Sequence, residues 1–348
     1  MTRLLIIGGA GYYGGLVAGL LRAMEGVDVV VAGRFMASDG GAARLDLNDP
    51  DTFSVMEGFD AILNCADTVG APPDPAMRYA LDRGLTWFEM GADLPTLERL
   101  LTLDPGVGAA ILGVGIFPGV STSLAHSLRG ESPLGAVELG VRVSPLSGAG
   151  RANCGLMTQT LVTPSIRFED HRRVQGPPVG PSSPMPFLGS GICAAAEIPL
   201  PDAVLIHHQG TAPTVTARMA LKPGFMVWNF KILAALIGRL GPLKAAALTL
   251  TRWSLILARA ALLRGVQSTI QITAIADRGT PRERTRQLSI KEGQLSTALG
   301  TAAALSLWLK GPRPAPGLHV AGQLFDFDAL VAEMKTLGGP DLHLDTSP

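Results

Sequence analysis

The chain has 348 residues, enough for two domains, and its 47% of hydrophobic residues exclude extensive disorder despite 42 glycines and 26 prolines. Basic and acidic residues balance at 29 each, so the formal net charge of zero excludes a uniformly basic or acidic protein. Three cysteines without a CxxC spacing indicate neither a disulfide framework nor a zinc site, which fits a reducing cytoplasm.

The first 128 residues alternate apolar, β-branched runs with helical stretches. Strands are predicted in RLLII, VDVVVAG, DAILNCA, TWFEMG and GAAILGVG, and helices in GGLVAGLLRAM and PDPAMRYALDRG. Residues 4–7 are too short for a signal peptide and lack a basic leader, so we interpret them as a buried strand. This alternation is typical of βαβ units around a parallel sheet, and we predict a doubly wound α/β domain.

From about residue 133 the pattern changes. Strand-like runs follow one another without a regular helix between them, as in VELGVRV, PTVTARMAL and VQSTIQITAIAD. We therefore predict an α+β segment with a mainly antiparallel sheet. Residues 175–191, QGPPVGPSSPMPFLGSG, are so rich in proline, glycine and serine that they indicate an irregular loop.

Residues 225–264 are the most apolar stretch, and a break at Gly241 and Pro242 predicts two amphipathic helices. The stretch contains no acid and six basic residues: Lys231, Arg239, Lys244, Arg252, Arg259 and Arg264. Because Lys231 and Arg252 interrupt the apolar runs, a membrane-spanning helix is disfavoured. Three alternatives stay open: packing on the domain's own sheet, a dimer interface, or contact with the surface of an anionic membrane.

The charges divide the chain into three pieces. Residues 1–128 carry 7 basic and 15 acidic residues, residues 129–310 carry 20 and 9, and residues 311–348 carry 2 and 5. In the last piece, a short extended stretch precedes a helix that begins near Asp326 or Asp328. We therefore predict one domain made of residues 1–128 and 311–348, with a substrate-binding and dimerisation domain of a homodimer inserted at residues 129–310.

Glycines follow the first predicted strand directly and open the first predicted helix. Gly9, Gly11 and Gly14 give GxGxxG, and Gly8, Gly11 and Gly14 give GxxGxxG. Missing side chains permit a tight turn, and a helix N-terminus offers N–H groups to a pyrophosphate. This context predicts a Rossmann dinucleotide site, the alternative being a plain glycine turn. The predicted cofactor residues here are Gly8, Gly9, Gly11, Tyr12, Tyr13 and Gly14.

Arg34 follows the second predicted strand, at the place where a carboxylate usually accepts a hydrogen bond from the ribose 2′-OH of NAD(H). A guanidinium instead suits a 2′-phosphate, so we predict NADP(H) as the cofactor. The alternative is that Arg34 is an ordinary solvated arginine. Asp46 is a candidate to accept from the adenine amino group, or else an exposed turn carboxylate.

Asn64, Cys65 and Ala66 end a further predicted strand, at the edge of the sheet where the nicotinamide half of the cofactor crosses. We expect mostly backbone contacts from them. No residue near Cys65 in sequence would lower the pKa of its thiol, which argues against a nucleophile.

The glycine loop is followed, in this order, by AGR, LNCAD, TWFEMGAD and GVGIFPGVSTSLAH. With these motifs the chain resembles the saccharopine dehydrogenase-like superfamily of NADP-binding proteins, which includes saccharopine reductases and trans-acting enoyl reductases. The resemblance covers the first 128 residues well and the rest more loosely. It implies a Rossmann domain, an inserted antiparallel substrate domain and a C-terminal return to the first domain. It also implies that Gly8, Gly11, Gly14, Arg34 and Asp46 bind the cofactor, with residues 115–121 beside the nicotinamide at the domain junction.

Two side chains are candidates for proton transfer beside a nicotinamide, which itself carries out the hydride transfer. His126 has a suitable ordinary pKa and follows the GIFPGVS segment, the alternative being a packed or solvated histidine. Asp67 is a second candidate, for contact with the nicotinamide amide or the substrate. The sequence predicts no metal site, and no nucleic-acid partner, because the basic middle piece lacks interleaved aromatic residues.

The long apolar helices favour an apolar substrate, although Arg142, Arg151 and Arg167 could bind a multiply charged amino-acid adduct. We expect an NADPH-dependent oxidoreductase that reduces a C=C or C=N/C=O bond of a lipid-like or isoprenoid-like small molecule. Its expected location is the cytoplasm, or the inner face of a membrane. The alternatives are an amino-acid or opine dehydrogenase of the saccharopine type and a non-catalytic, membrane-associated NADP-binding protein.

Overall fold

A computed structural model describes residues 1–37, 41–130, 133–144, 151–262, 269–291, 293–339 and 342–347. The chain divides into two compact units. The first contains Met1–Ser123 and Thr297–Gly339, and the second contains Leu124–Ser296 and Pro340–Pro348. The sequence-based division into one domain of residues 1–128 and 311–348 and another of residues 129–310 stays a prediction.

Strands and helices alternate regularly in the N-terminal part of the chain. In chain order they are β1 (Thr2–Ile7), α1 (Tyr12–Arg22), β2 (Val27–Gly33), β3 (Ala42–Arg44), β4 (Ala61–Asn64), α2 (Asp74–Asp82), β5 (Thr86–Glu89), α3 (Leu94–Leu100), β6 (Ala109–Leu112) and α4 (Val120–His126), with a 3₁₀ segment at Pro50–Gly58.

Strands predominate in the next part of the chain. They and the helices between them are β7 (Ala136–Val143), α5 (Arg151–Thr160), β8 (Ser165–Glu169), β9 (Arg172–Gly176), β10 (Ser182–Phe187), β11 (Gly191–Glu197), α6 (Asp202–His208), β12 (Thr214–Leu221), α7 (Phe225–Gly238), α8 (Lys244–Leu262), β13 (Ile270–Ala276) and β14 (Arg284–Ile290). The C-terminal elements are α9 (Gly293–Lys310), β15 (Gly317–Val320), α10 (Ala321–Leu324), α11 (Phe327–Gly338) and β16 (Leu344–Ser347).

The first unit is built on a parallel sheet of seven strands in the order β15-β6-β5-β4-β1-β2-β3. All six neighbouring pairs are parallel. Leu4–Ile7 of β1 and all of β4 are buried, as expected for strands covered on both faces. The strand order reverses at β1 and β4, which is the switch point where such sheets bind ligands. The predicted doubly wound α/β domain is therefore confirmed.

The second unit contains a mixed sheet in the order β10-β11-β12-β7-β13-β14-β16, and β8 joins it by pairing with both β12 and β9. β7 and β12 run parallel, and the remaining pairs are antiparallel. Ile270–Ala276 of β13 is buried at every position, so this strand lies in the centre of the core. A mostly antiparallel second sheet was predicted and is confirmed.

The irregular loop predicted over residues 175–191 is wrong for Ser182–Phe187, which form β10, and at its two ends, which belong to β9 and β11. Two prolines are tolerated there because β10 is an edge strand and needs backbone donors on one side only. Their carbonyl oxygens still find partners. The oxygen of Pro184 accepts from Arg278 Nη2 at 2.9 Å, and that of Pro186 accepts from Thr273 Oγ1 at 2.6 Å.

The expectation that no regular helix separates the strands of the middle segment is also wrong, because α5 and α6 lie between them. α6 has only seven residues and buries five of them, from Asp202 to Ile206. A short helix that is apolar nearly all round has no 3.6-residue periodicity to reveal it, so its AVLI run is indistinguishable from a strand.

The last piece of the chain contributes to both units. β15 pairs with β6, and α11 begins at the N-cap residue Asp326, whose carboxylate accepts from Ala329 N at 2.9 Å. β16 instead pairs with β14 and covers the edge of the second sheet. α9, predicted within the inserted domain, packs in the first unit from Thr297 onward.

α7 and α8 correspond to the two helices predicted in residues 225–264. A 3₁₀ turn at Gly241–Leu243 separates them, and Gly241 has the left-handed φ of 49° that favours glycine. Residues 263 and 264, at the end of the predicted stretch, lie outside the described residues. Within the ranges described, no helix is both long enough and apolar enough to cross a bilayer.

Candidate nucleotide-binding site

The turn between β1 and α1 packs backbone against backbone. Gly8 has a φ of 77°, and a Cβ atom there would lie 2.8 Å from Ala66 N, in the segment after β4. A Cβ at Gly14 would lie 2.3 Å from the Gly8 carbonyl oxygen, and one at Gly9 would lie 2.6 Å from Val31 Cβ. These contacts require glycine, and they join the turn to β2 and to the segment after β4.

The other side of the same turn faces solvent. Ala10 and Gly11 are exposed, and so is Tyr12, the first residue of α1. Gly11 is the N-cap and has no side chain that could cap the helix. An exposed, uncapped helix N-terminus attracts an anion through its backbone N–H groups and its partial positive charge. Tyr13 lies beside Tyr12, with their ring centroids 5.2 Å apart.

Two further predicted residues follow neighbouring strands at the same edge of the sheet. Arg34 directly follows β2, is exposed, and holds its guanidinium 4.8 Å from the ring centroid of Phe35. Asp46 comes two residues after β3 and is half-buried. Its Oδ1 accepts a hydrogen bond from Asn48 N at 3.0 Å, which is a local turn contact. Both predicted roles of Asp46 therefore stay open.

Asn64 holds the segment after β4 in place. Its side chain is fully buried, and Nδ2 donates to both carboxylate oxygens of Glu89, at 3.1 and 3.0 Å. Its Oδ1 accepts from Ala66 N at 3.1 Å. Because Ala66 contacts Gly8, the hydrogen bonds connect the end of β5 with the glycine turn. The structure thus brings Gly8 together with Asn64, Cys65 and Ala66, as the sequence predicts.

Glu89, at the end of β5, is the residue of this site that the sequence analysis missed. It is fully buried and also accepts from Trp87 Nε1 at 3.2 Å and Gly91 N at 2.8 Å. Burial raises the pKa of Glu89 to about 7, although these hydrogen bonds oppose the shift. The group can therefore exchange a proton near neutral pH. The sequence feature that could have revealed Glu89 is an acid at the end of the apolar run TWFE.

Cys65 and Asp67 make local contacts. Cys65 Sγ donates to Met90 Sδ at 3.7 Å, and burial, followed by the Glu89 carboxylate, raises the pKa of the thiol. A thiol with a raised pKa is a poor nucleophile at neutral pH. Asp67 is exposed, and its Oδ1 accepts from Val69 N at 3.2 Å in a turn.

His126 ends α4 and belongs to the second unit, whereas Asp67 belongs to the first. The Nδ1 atom of His126 lies 3.1 Å from Thr211 Oγ1, which accepts from Gln209 Nε2 at 2.8 Å. Burial, and then the charge of Arg129, lower the pKa of His126. The imidazole is therefore neutral at pH 7, and its pairing with Thr211 fixes its orientation.

The arginines considered for a charged substrate are engaged within the second unit. Arg167 pairs with Glu169 at 2.8 Å and with Glu197 at 3.4 Å. Arg142 Nη1 donates to Ser190 Oγ at 3.0 Å and to Gln271 Oε1 at 2.7 Å. The side chain of Arg151 lies outside the described residues.

The sheet order, the switch point and the glycine turn define a Rossmann-type dinucleotide-binding fold with an inserted second unit. No family model matches the sequence, and no curated protein matches it. The chain is similar in structure to the apo form of a histidine-tagged saccharopine dehydrogenase (L-Glu forming) from Saccharomyces cerevisiae. The TM-score is 0.63, the identity is 16%, and the match covers 100% of each chain. The predicted resemblance is thus confirmed for the fold.

Weaker similarities were also found. A DAP dehydrogenase from C. glutamicum in complex with DAP gives a TM-score of 0.44 at 12% identity and covers 95% of this chain and 98% of its own. A myo-inositol dehydrogenase from Corynebacterium glutamicum gives 0.43 at 12% identity, with 97% and 95% covered.

Proposed function

We propose that the protein is an NADP(H)-dependent oxidoreductase. One observation carries the proposal: an exposed, uncapped helix N-terminus stands at the switch point of the sheet, with exposed Arg34 at the end of the neighbouring strand β2. The helix N-terminus would bind the pyrophosphate, and the Arg34 guanidinium would bind the 2′-phosphate. When bound, the cofactor supplies the hydride. The fold shared with a saccharopine dehydrogenase supports this proposal.

Arg34 is suited to an anionic ligand because its guanidinium is exposed and has no ion-pair partner among the residues that the structure describes. Within the described ranges, no carboxylate lies at ion-pair distance from its guanidinium, which stacks on Phe35. Gly33, one residue before Arg34, has no side chain. The end of β2, where NAD(H) enzymes usually have an acid, therefore carries no carboxylate. These features favour NADP(H) over NAD(H).

The proposed proton-handling residues are His126 and Asp67, as predicted from the sequence. His126 is the stronger candidate because it is half-buried and held by Thr211, so that its ring orientation is defined. Asp67 is exposed in a turn, where its Oδ1 accepts from Val69 N. Glu89 is a positioning residue in this proposal, because it acts on the site through Asn64.

We propose an apolar, lipid-like or isoprenoid-like substrate that is reduced at a C=C or C=N/C=O bond. The ion pairs of Arg167 support this choice, because they leave one cation fewer for a multiply charged adduct. The alternative is an amino-acid or opine dehydrogenase of the saccharopine type. A non-catalytic NADP-binding protein that associates with a membrane is the third candidate. In each case we propose a homodimer, located in the cytoplasm or at the inner face of a membrane.

Consumption of NADPH, followed with a panel of substrates, distinguishes these candidates. The panel contains enoyl thioesters and isoprenoid enals on one side, and lysine, saccharopine and polyamine adducts on the other. We expect turnover with the first group. Turnover with the second group alone would favour the saccharopine-type dehydrogenase over a reductase of an apolar substrate. Tight binding of NADPH without turnover of either group would favour the non-catalytic protein.

A further inference from the structure

One side of α7 is apolar and exposed. Phe225, Trp228, Ile232 and Leu236 follow one another at intervals of three and four residues, which places them on one side of the helix. Their exposed fractions are 65, 66, 38 and 54%. Isolated exposed apolar residues are ordinary, but four on one side of a helix mark an interaction surface.

The opposite side of α7 already accounts for its packing in the second unit. Val227, Ala234 and Ile237 are buried there in a core cluster that includes Leu161 and Leu221. The helix is therefore apolar on both sides, where the sequence analysis expected a polar outer side. The outer residues do not belong to that core cluster, so the packing of α7 on the cluster does not account for them.

The 3₁₀ turn and α8 also expose large apolar side chains. Leu243, Leu250, Trp253 and Leu257 have exposed fractions of 64, 70, 49 and 65%, and the last three are spaced by three and four residues. We call these eight side chains the hairpin face: Phe225, Trp228, Ile232, Leu236, Leu243, Leu250, Trp253 and Leu257. Both exposed tryptophans of the chain belong to it, because Trp87 and Trp308 are buried.

The sequence segment that contains the hairpin face carries charge of one sign. No aspartate or glutamate occurs from residue 203 to residue 276, whereas eight lysines and arginines do. Lys231 lies on α7, Arg239 is the C-cap residue of that helix, and both are exposed. An apolar surface bordered by cations and tryptophans is complementary to the boundary between lipid headgroups and acyl chains.

We propose that the hairpin face binds the surface of an anionic lipid bilayer, with α7 and α8 lying in the plane of the headgroups. The apolar side chains would enter the acyl boundary, and the cations would contact lipid phosphates. A second copy of the chain is a poorer partner, because a twofold interface sets the same cations against one another. The inference is independent of turnover, since no residue of the hairpin face belongs to the nucleotide site.

Sedimentation with vesicles, together with tryptophan fluorescence, tests this proposal on the full chain. The vesicles contain phosphatidylcholine alone or phosphatidylcholine mixed with phosphatidylglycerol. We expect binding to the mixed vesicles at low salt, weaker binding at high salt, and a blue shift of the emission. The blue shift reports the hairpin face, because the two remaining tryptophans are buried without lipid.

Two sets of variants separate the apolar from the charged contribution. Trp228→Ser is expected to weaken binding to the mixed vesicles about tenfold, because one large side chain no longer leaves water. Each of Lys231→Gln and Arg239→Gln is expected to weaken it about fivefold and to reduce its salt dependence. Ile192→Ser is the matched control: this side chain is 76% exposed on β11, outside the hairpin face, and its replacement should leave vesicle binding unchanged.

Three results would overturn the proposal. The first is a wild-type protein that stays in the supernatant with both kinds of vesicle at low salt. The second is equal binding to both kinds of vesicle, which would show that the anionic lipid does not contribute to binding. The third is a concentration-dependent dimer that Trp228→Ser converts to a monomer while vesicle binding is unchanged, which would assign the face to a second copy of the chain.

Discussion

The glycine turn of the first unit and the hairpin face of the second each expose groups that folded chains usually cover. At the glycine turn the exposed groups belong to the backbone at the start of α1, and glycines keep side chains away from them. At the hairpin face the exposed groups are large apolar side chains. The first arrangement suits a small anion that approaches closely, whereas the second suits an extended apolar surface.

The two regions also differ in charge, which supports separate ligands. Residues 1–128 contain more acidic than basic residues, so the predicted anion site depends on local groups, namely the helix N-terminus and Arg34. Residues 203–276 have no acid, so the attraction toward an anionic surface is spread over the whole segment. We therefore expect substitutions in one region to leave the ligand of the other region unaffected.

The largest effect is expected for Gly14→Ala. Its Cβ would lie 2.3 Å from the Gly8 carbonyl oxygen, so α1 or the turn must move. We expect NADPH affinity to fall about a hundredfold or more, equivalent to ~3 kcal/mol, with vesicle binding unchanged. Nucleotide fluorescence titrations and vesicle sedimentation measure the two effects.

Gly15→Ala is the matched control on the same helix. Its Cβ would lie 3.6 Å from the Gly9 carbonyl oxygen, which is an ordinary contact distance. We expect unchanged NADPH affinity and a gain of about 0.5–1 kcal/mol in helix stability. Equal loss of affinity in both variants would show that the close approach of Gly14 to Gly8 is not what forms the site.

Glu89→Gln is expected to change how stability depends on pH. The folded-state pKa of about 7 lies above the ordinary value of 4.5, so the folded protein holds this proton more tightly than the unfolded chain. The contribution of Glu89 to the free energy of unfolding is therefore largest below pH 4.5 and is lost as the pH rises through about 7. The loss amounts to about 3 kcal/mol.

Urea unfolding from pH 4.5 to 8 measures this loss in the wild type and in Glu89→Gln. We expect the difference between their unfolding free energies to change by about 3 kcal/mol across this range, because all other titrating groups are shared. Parallel pH dependences would contradict a buried Glu89 carboxyl that titrates near neutral pH.

The smallest effect is expected for Trp228→Ser on nucleotide binding. The glycine turn packs within the first unit and the hairpin face within the second. Variants without shared neighbours usually act independently, so NADPH affinity should change by less than about twofold. A larger change in the same titration would show that the two regions are coupled.

The sequence predicted the first unit more fully than the second. The difference follows from the residues within individual strands. Strands of a parallel sheet form largely apolar runs, and β2 matches the predicted VDVVVAG segment at both ends. In the second unit, Pro184 and Pro186 indicated a loop, because only the edge position of β10 makes them acceptable in a strand.

Part of the candidate site was also beyond prediction from sequence. The glycine pattern directly indicated the turn after β1, because its requirement for missing side chains is local. Glu89 lies 25 residues from Asn64 in sequence, and only the pairing of β4 with β5 brings their side chains together. Which side of α7 faces solvent likewise depends on how the helix packs on its core cluster.

The central claim is that Arg34 and the glycine turn bind NADP(H). Titration of the wild type, Arg34→Ala and Arg3→Ala with NADPH and with NADH tests it most directly, because Arg3 lies at the opposite end of β1 and is also exposed. We predict that wild type and Arg3→Ala prefer NADPH, whereas Arg34→Ala loses about 10- to 100-fold in NADPH affinity and keeps its NADH affinity. Tighter binding of NADH by the wild type, or undiminished NADPH binding by Arg34→Ala, would contradict the account.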